Sequence, residues 1–169
     1  MGFLTLRRLF ALCERFPSDD AFYLLGTVIG QKHLSFGPQA LMYCGVVAWL
    51  EKHLERFVSF SPDRRVTFAL LCLCKRLLTA SDKRNAMRPL YHYFATALSL
   101  FPKLGWIGIA EQAALCFYYC LSRATEERST MIVALVHSQP GALATLAHLC
   151  SSLIGLKLAW NCCHQCFSP

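Results

Sequence analysis

Charge is scarce in this 169-residue chain: Asp, Glu, Lys and Arg make up 16% of it, against roughly a quarter in an average soluble domain. Acids are the scarcer sign, 10 against 17 Lys plus Arg, for a formal net charge of +7 with histidine neutral. Glycine and proline are few, 9 and 7 residues, which excludes collagen-like and low-complexity chains. Sustained period-two alternation is missing, as are Asn-Gly and Asp-Gly pairs, so nothing signals a β-hairpin. The chain has no Gly-x-Ser-x-Gly, no His-Glu-x-x-His and no Gly-x-x-x-x-Gly-Lys, the spacings that build a nucleophile elbow, a zinc-protease helix and a phosphate cradle. Its acids are too dispersed for a carboxylate pair, and the six histidines (His33, His53, His92, His137, His148, His164) stand outside any nucleophile motif. These absences predict a protein that is not an enzyme, with no catalytic residue, no cofactor, no metal site and no small-molecule substrate.

What is present is apolar. Hydrophobic residues make up 55% and aromatics 12%, so collapse is certain and disorder is excluded as the main state. Either the chain buries unusually much, or part of its surface meets lipid or another protein. Ten cysteines would suit a disulfide framework, but Cys13, Cys44, Cys72, Cys74, Cys116, Cys120 and Cys150 lie inside apolar helical runs instead of punctuating loops. With no Asn-x-Ser/Thr sequon and an N-terminal run that places Arg7 and Arg8 among its apolar residues, the secretory reading is poor. The cysteines read as reduced, small core hydrophobes of an intracellular protein, cytoplasmic or nuclear. Myristoylation would need Ser or Thr where Leu6 stands, and prenylation of Cys166 is opposed by Ser168 and Pro169.

Pro, Gly and Ser/Asp clusters cut the apolar runs into helical lengths. Pro17-Ser18-Asp19-Asp20, Gly37-Pro38, Ser61-Pro62-Asp63, Thr125-Glu126-Glu127 and Gln139-Pro140-Gly141 each mark a start or a break. At Ser61-Pro62-Asp63 the serine is expected to accept from the freed first-turn amides, the proline needs no donor, and the aspartate favours the positive end of the dipole. The expected helices are 3–16, 18–33, 38–57, 62–79, 84–101, 104–123, 126–137 and 141–159. Arg88-Pro89 forces the fifth to start late or kink. The predicted fold class is all-α, about eight helices, with 1–160 a single helical-repeat domain and 161–169 a cysteine-rich tail expected to be disordered.

The punctuation is itself periodic. Phe16-Pro17, Phe60-Ser61-Pro62 and Phe101-Pro102 recur about every 40 to 45 residues, and Pro140 follows 38 residues later. Helix pairs at that period mark HEAT and armadillo arrays, and the chain resembles roughly four stacked hairpins of such an α-solenoid; the alternative is an irregular α-helical bundle. In its Leu, Cys and aromatic texture it is also similar to the armadillo-like meiosis inhibitor family. That resemblance implies a nuclear scaffold supporting programmed double-strand breaks and synapsis in meiosis, of which this chain would be a fragment or short isoform.

Three further features frame the function. Seven bases stand against two acids between Asp63 and Arg88. Of these, Lys75, Arg76, Lys83, Arg84 and Arg88 form a candidate basic patch for phosphates or an acidic partner, with a solvated hairpin end as the plain alternative. Cys162-Cys163-His164-Gln165-Cys166 holds one zinc-knuckle spacing, without the second pair that a structural site needs. Ser129–Leu156 runs 28 residues without a charge, longer than the roughly 20 of a membrane span, but Pro140-Gly141 interrupts it. The main expectation is therefore a non-catalytic scaffold or protein-interaction module. The alternatives are a small multi-helix membrane protein and a basic helical module on nucleic acid.

Overall fold

The computed structural model describes residues 3–30, 37–60, 63–80, 84–122 and 124–151. Every regular element among them is helical: α1 (Phe3–Arg15), α2 (Asp19–Gly30), α3 (Pro38–Tyr43), α4 (Val46–Leu54), α5 (Arg64–Ala80), α6 (Tyr91–Ser99), α7 (Phe101–Leu104), α8 (Ile107–Leu121), α9 (Glu126–Ser138) and α10 (Ala142–Ser151). The all-α expectation holds. Two compact units partition the chain, Met1–Met87 and Arg88–Pro169.

Local chemistry explains most helix ends. Ser18 Oγ accepts from the Ala21 amide at 3.1 Å, satisfying one orphan donor of α2, and Asp19 and Asp20 follow in the first turn at the positive end of the dipole. At α5 the cap is two residues later than the sequence suggests. Asp63 Oδ1 takes both the Arg65 and Val66 amides, at 2.9 and 3.0 Å, so Asp63 is the capping residue and not the first-turn acid; Ser61 and Pro62 lie outside the described residues. The expected kink at Pro89 takes the form of a 3-10 helix, Arg84–Leu90, that hands over to α6, a tighter winding that tolerates the missing donor.

The expected single helix over 38–57 is broken. Cys44 closes α3, and Gly45 turns left-handed at φ 78° before α4 begins, a conformation a side chain would strain. Beyond Leu54 the chain winds on as a π-helix, Glu55–Phe60. Its Phe57 carbonyl accepts from the buried Thr67 hydroxyl at 3.0 Å, which provides for one of the acceptors a helix end leaves open.

In the first unit, α2 lies along α5. The approach is close because Gly26 faces Ala69: a Cβ at Gly26 would stand 3.1 Å from the Ala69 Cβ. Arg76 of α5 donates to the Ile29 carbonyl at the end of α2, and burial pushes its pKa down. The core centres on Phe22, which touches Trp49, His53 and Phe57 with ring centroids 6.0, 4.4 and 5.4 Å apart. Phe10 of α1 reaches the same Trp49 at 5.1 Å.

In the second unit, α6 is the central element, touching α8, α9 and α10. Phe94 meets Phe117 edge-on at 5.8 Å. The buried Thr145 hydroxyl bridges α10 to α6 by donating to the Leu98 carbonyl at 2.9 Å. Cys116 and Cys120, one turn apart on α8, are both buried, as packing residues would be, and Cys120 lies beside the buried Tyr91 hydroxyl, whose pKa burial raises.

Candidate docking groove on the first hairpin

Helices α1 and α2 form an antiparallel pair, and each carries more apolar surface than one core contact uses. A surface helix ordinarily buries one apolar stripe. On α1 the stripe Leu6, Phe10, Cys13 is buried, and on α2 the stripe Phe22, Leu25, Ile29. Beside each runs a second apolar row that the core does not cover. Leu9 and Leu12 of α1, with Phe16 just past its end, face Ala21, Leu24 and Val28 of α2 across an open groove of about 340 Å³, floored by Cys13 and Leu25. Leu12 is 54% exposed, Phe16 63%, Leu24 59% and Val28 40%. Single exposed apolar residues need no explanation. Here four line one groove, which makes it the candidate docking surface of the first unit.

The polar groups around the groove are unevenly committed. Glu14 points away from it to α4, where Lys52 Nζ donates to one carboxylate oxygen and the His53 ring nitrogen Nε2 lies 2.5 Å from the other. The hydrogen bond from Lys52 is the main influence that holds Glu14 below its ordinary pKa. His53 is buried against Phe22 and Trp49, and that burial lowers its pKa more than the Glu14 carboxylate raises it. His53 is therefore neutral, with Nε2–H donating to Glu14, and the pair is a hydrogen bond between elements. Cys13 is its sequence neighbour, but burial pushes the thiol up to about 11, the opposite of the depressed value that makes a thiolate nucleophile. The arrangement suits packing.

The remaining acids of the hairpin are taken as well. Asp19 pairs with Arg56 at 3.3 Å and Asp20 with Arg65 at 3.5 Å. Arg8 and Arg15 have no ion pair among the described residues; Arg15 holds its guanidinium 5.5 Å from the Phe16 ring centroid. The groove is thus an apolar trough, and Arg8 and Arg15 stand exposed on α1 beside its Leu12 edge, outside the lining itself.

The residues of the predicted basic patch belong to different elements. Lys75 and Arg76 are neighbours on α5, both half-buried, and Arg76 is engaged with the Ile29 carbonyl. Arg88 is exposed and belongs to the second unit. Arg84 opens the 3-10 helix, and Lys83 lies outside the described residues, as does the whole Cys162–Cys166 cluster. Among the described residues no cluster of His, Cys, Asp and Glu has metal-binding geometry, and no single helix is long and apolar enough to cross a membrane. Only α9 with α10 reaches that length, as a pair bent by 105°.

Sequence reasoning missed the groove although a signal was present. Leu4, Leu6, Leu9, Phe10, Leu12, Cys13 and Phe16 are too many apolar positions for one stripe of a four-turn helix. In comparisons with protein-family profiles, curated protein sequences and solved structures, nothing matches this chain.

Proposed function

We propose that this chain is a non-catalytic, intracellular helical module that binds another protein through the α1–α2 groove, as a scaffold or adaptor component. The observation that carries this reading is the second apolar row on both helices. Leu12, Phe16, Leu24 and Val28 remain exposed after the core of the first unit is complete. About half of each of these side chains is still open to solvent, and covering the rest would contribute roughly 0.7–1.5 kcal/mol apiece to an interface. An open apolar trough walled by two helices suits the recognition of an amphipathic helix laid into it. The test is quantitative affinity capture with the full chain, with Leu12→Glu plus Leu24→Glu, and with Ile107→Glu as an exposed apolar control on the second unit. Proteins lost with the groove variant and kept with the control are the expected result; identical captures would reject the reading.

The stacked-hairpin architecture is the finer part of the proposal. It is supported in the first unit by the pairing of counterpart helices, α1 reaching α4 through Phe10–Trp49 and Glu14–Lys52, and α2 running along α5. In the second unit α6 meets α8, α9 and α10 together, which is closer to a bundle. A meiotic scaffold role follows from the period and texture of the sequence, and localisation of the tagged chain to meiotic chromosomes tests it: exclusion from them would remove it.

A further inference from the structure

The groove has a charge pattern as well as a shape. Arg8, Leu12 and Arg15 stand at i, i+4 and i+7 of α1, so one face of the wall presents an exposed leucine between two arginines. Seven residues span about 10.5 Å along a helix, close to two turns. The acids that might neutralise this face are already committed, Glu14 to Lys52, Asp19 to Arg56 and Asp20 to Arg65. Resting on the docking reading above, we propose that the occupant is an amphipathic helix of another protein whose apolar stripe is flanked by acidic side chains about two turns apart, set to meet Arg8 and Arg15.

Three other occupants fit less well. A second copy of this chain, docked groove to groove, would set the Arg8–Leu12–Arg15 face against an identical one, and like charges in an interface oppose association. The chain's own residues 152–169 carry Lys157 and no acidic side chain, so they offer neither arginine a carboxylate side chain as partner. An anionic bilayer would satisfy the arginines, but the groove floor of Cys13 and Leu25 is recessed, where a flat membrane surface would leave it uncovered.

The experiment uses the full chain and two fluorescent helical peptides of about four turns. Both carry leucines one turn apart; one flanks them with glutamates and the other with lysines, and fluorescence anisotropy reads the affinities. The glutamate peptide should bind about tenfold more tightly, a preference that two rim charge pairs can supply. Arg8→Glu plus Arg15→Glu should reverse the preference, and Leu24→Glu should abolish both interactions. All three positions are exposed, and circular dichroism checks that each variant folds. Equal affinity for both peptides, lost in Leu24→Glu, would overturn the acidic partner and leave the docking groove standing. Failure of both peptides to bind would overturn both readings. So would replacement of peptide binding by Leu24-dependent self-association in sedimentation, or by binding to phosphatidylserine vesicles.

Discussion

The contact between α2 and α5 organises the first unit, and a double substitution at its closest point measures it. Gly26 and Ala69 face each other so closely that a new Cβ at position 26 would lie 3.1 Å from the Ala69 Cβ and 3.3 Å from its carbonyl carbon, inside the 3.5–4.0 Å optimum for carbon pairs. Gly26→Ala on its own would gain about 0.8–1 kcal/mol of helix propensity. Against this stands an overpacking cost of about 1–3 kcal/mol if two packed helices must separate. The expected net effect is a loss of about 0–2 kcal/mol at a site where a helical glycine ordinarily rewards replacement. Ala69→Gly should cost about 1.5–2 kcal/mol, from propensity and one buried methyl. The double variant moves the methyl across the gap, so its cost should fall short of the sum by about 1–2 kcal/mol. Urea denaturation followed by Trp49 fluorescence, in a Trp106→Phe plus Trp160→Phe background, reports the unit that contains the contact and avoids averaging over both units. Additive effects within about 0.5 kcal/mol, with Gly26→Ala stabilising by about 1 kcal/mol, would show that the helices do not meet there.

Three more expectations follow from individual residues. The His53 pKa lies below 6.5 in the folded chain, so the unfolded chain binds more protons in that window. Stability should then fall as pH drops through about 6.5; Glu14, held below 4.5, adds its own loss only at lower pH. His53→Gln should flatten the urea midpoint between about pH 7 and 5, and an unchanged slope would contradict the neutral buried histidine. Thr145→Val leaves the Leu98 carbonyl without its 2.9 Å donor and should cost about 1–2 kcal/mol in thermal unfolding, with Thr145→Ser close to wild type; equal effects of the two would refute the bond's role. Cys13, with its thiol pushed up to about 11, should react with iodoacetamide at neutral pH at least about a hundredfold more slowly than in the urea-unfolded chain, and comparable rates by peptide mass spectrometry would contradict its burial.

Much of the local structure was legible in the sequence because it is written in short-range chemistry. Ser18 with two following acids, Thr125 with Glu126 and Glu127, and the Pro140-Gly141 break all correspond to observed helix boundaries. The break at Gly45 was not legible: between Pro38 and Leu50 the chain is uncharged and offers continuous helical periodicity, and the left-handed Gly45 interrupts it. The cap at α5 was misplaced by two residues because Ser61 and Asp63 are both good acceptors, and the choice depends on where the backbone turns. The pairing of α2 with α5 depends on which apolar faces meet, Gly26 against Ala69, and no single-chain pattern encodes that partner.

The groove illustrates the same limit at the level of function. Composition indicated excess apolar surface and a shortage of acids. Which row of α1 is left uncovered is decided by α4, through the Phe10–Trp49 and Glu14–His53 contacts. Once those contacts turn Leu6, Phe10 and Cys13 inward, Arg8, Leu12 and Arg15 must face outward, because they lie on another side of the helix. The basic residues chosen from sequence density alone, Lys75 to Arg88, are divided between two units, whereas the arginines that flank the groove sit in a less conspicuous run.

The measurement that bears most directly on the docking claim is site-specific photo-crosslinking in cells, with a benzophenone amino acid at position 24 of the full chain and a second one at position 107 as the control. The expected result is a discrete adduct from position 24 to a helical, acidic segment of another protein, abolished by Leu12→Glu and not formed from position 107. Adducts that arise equally from both positions, or that join two copies of this chain through position 24, would contradict it.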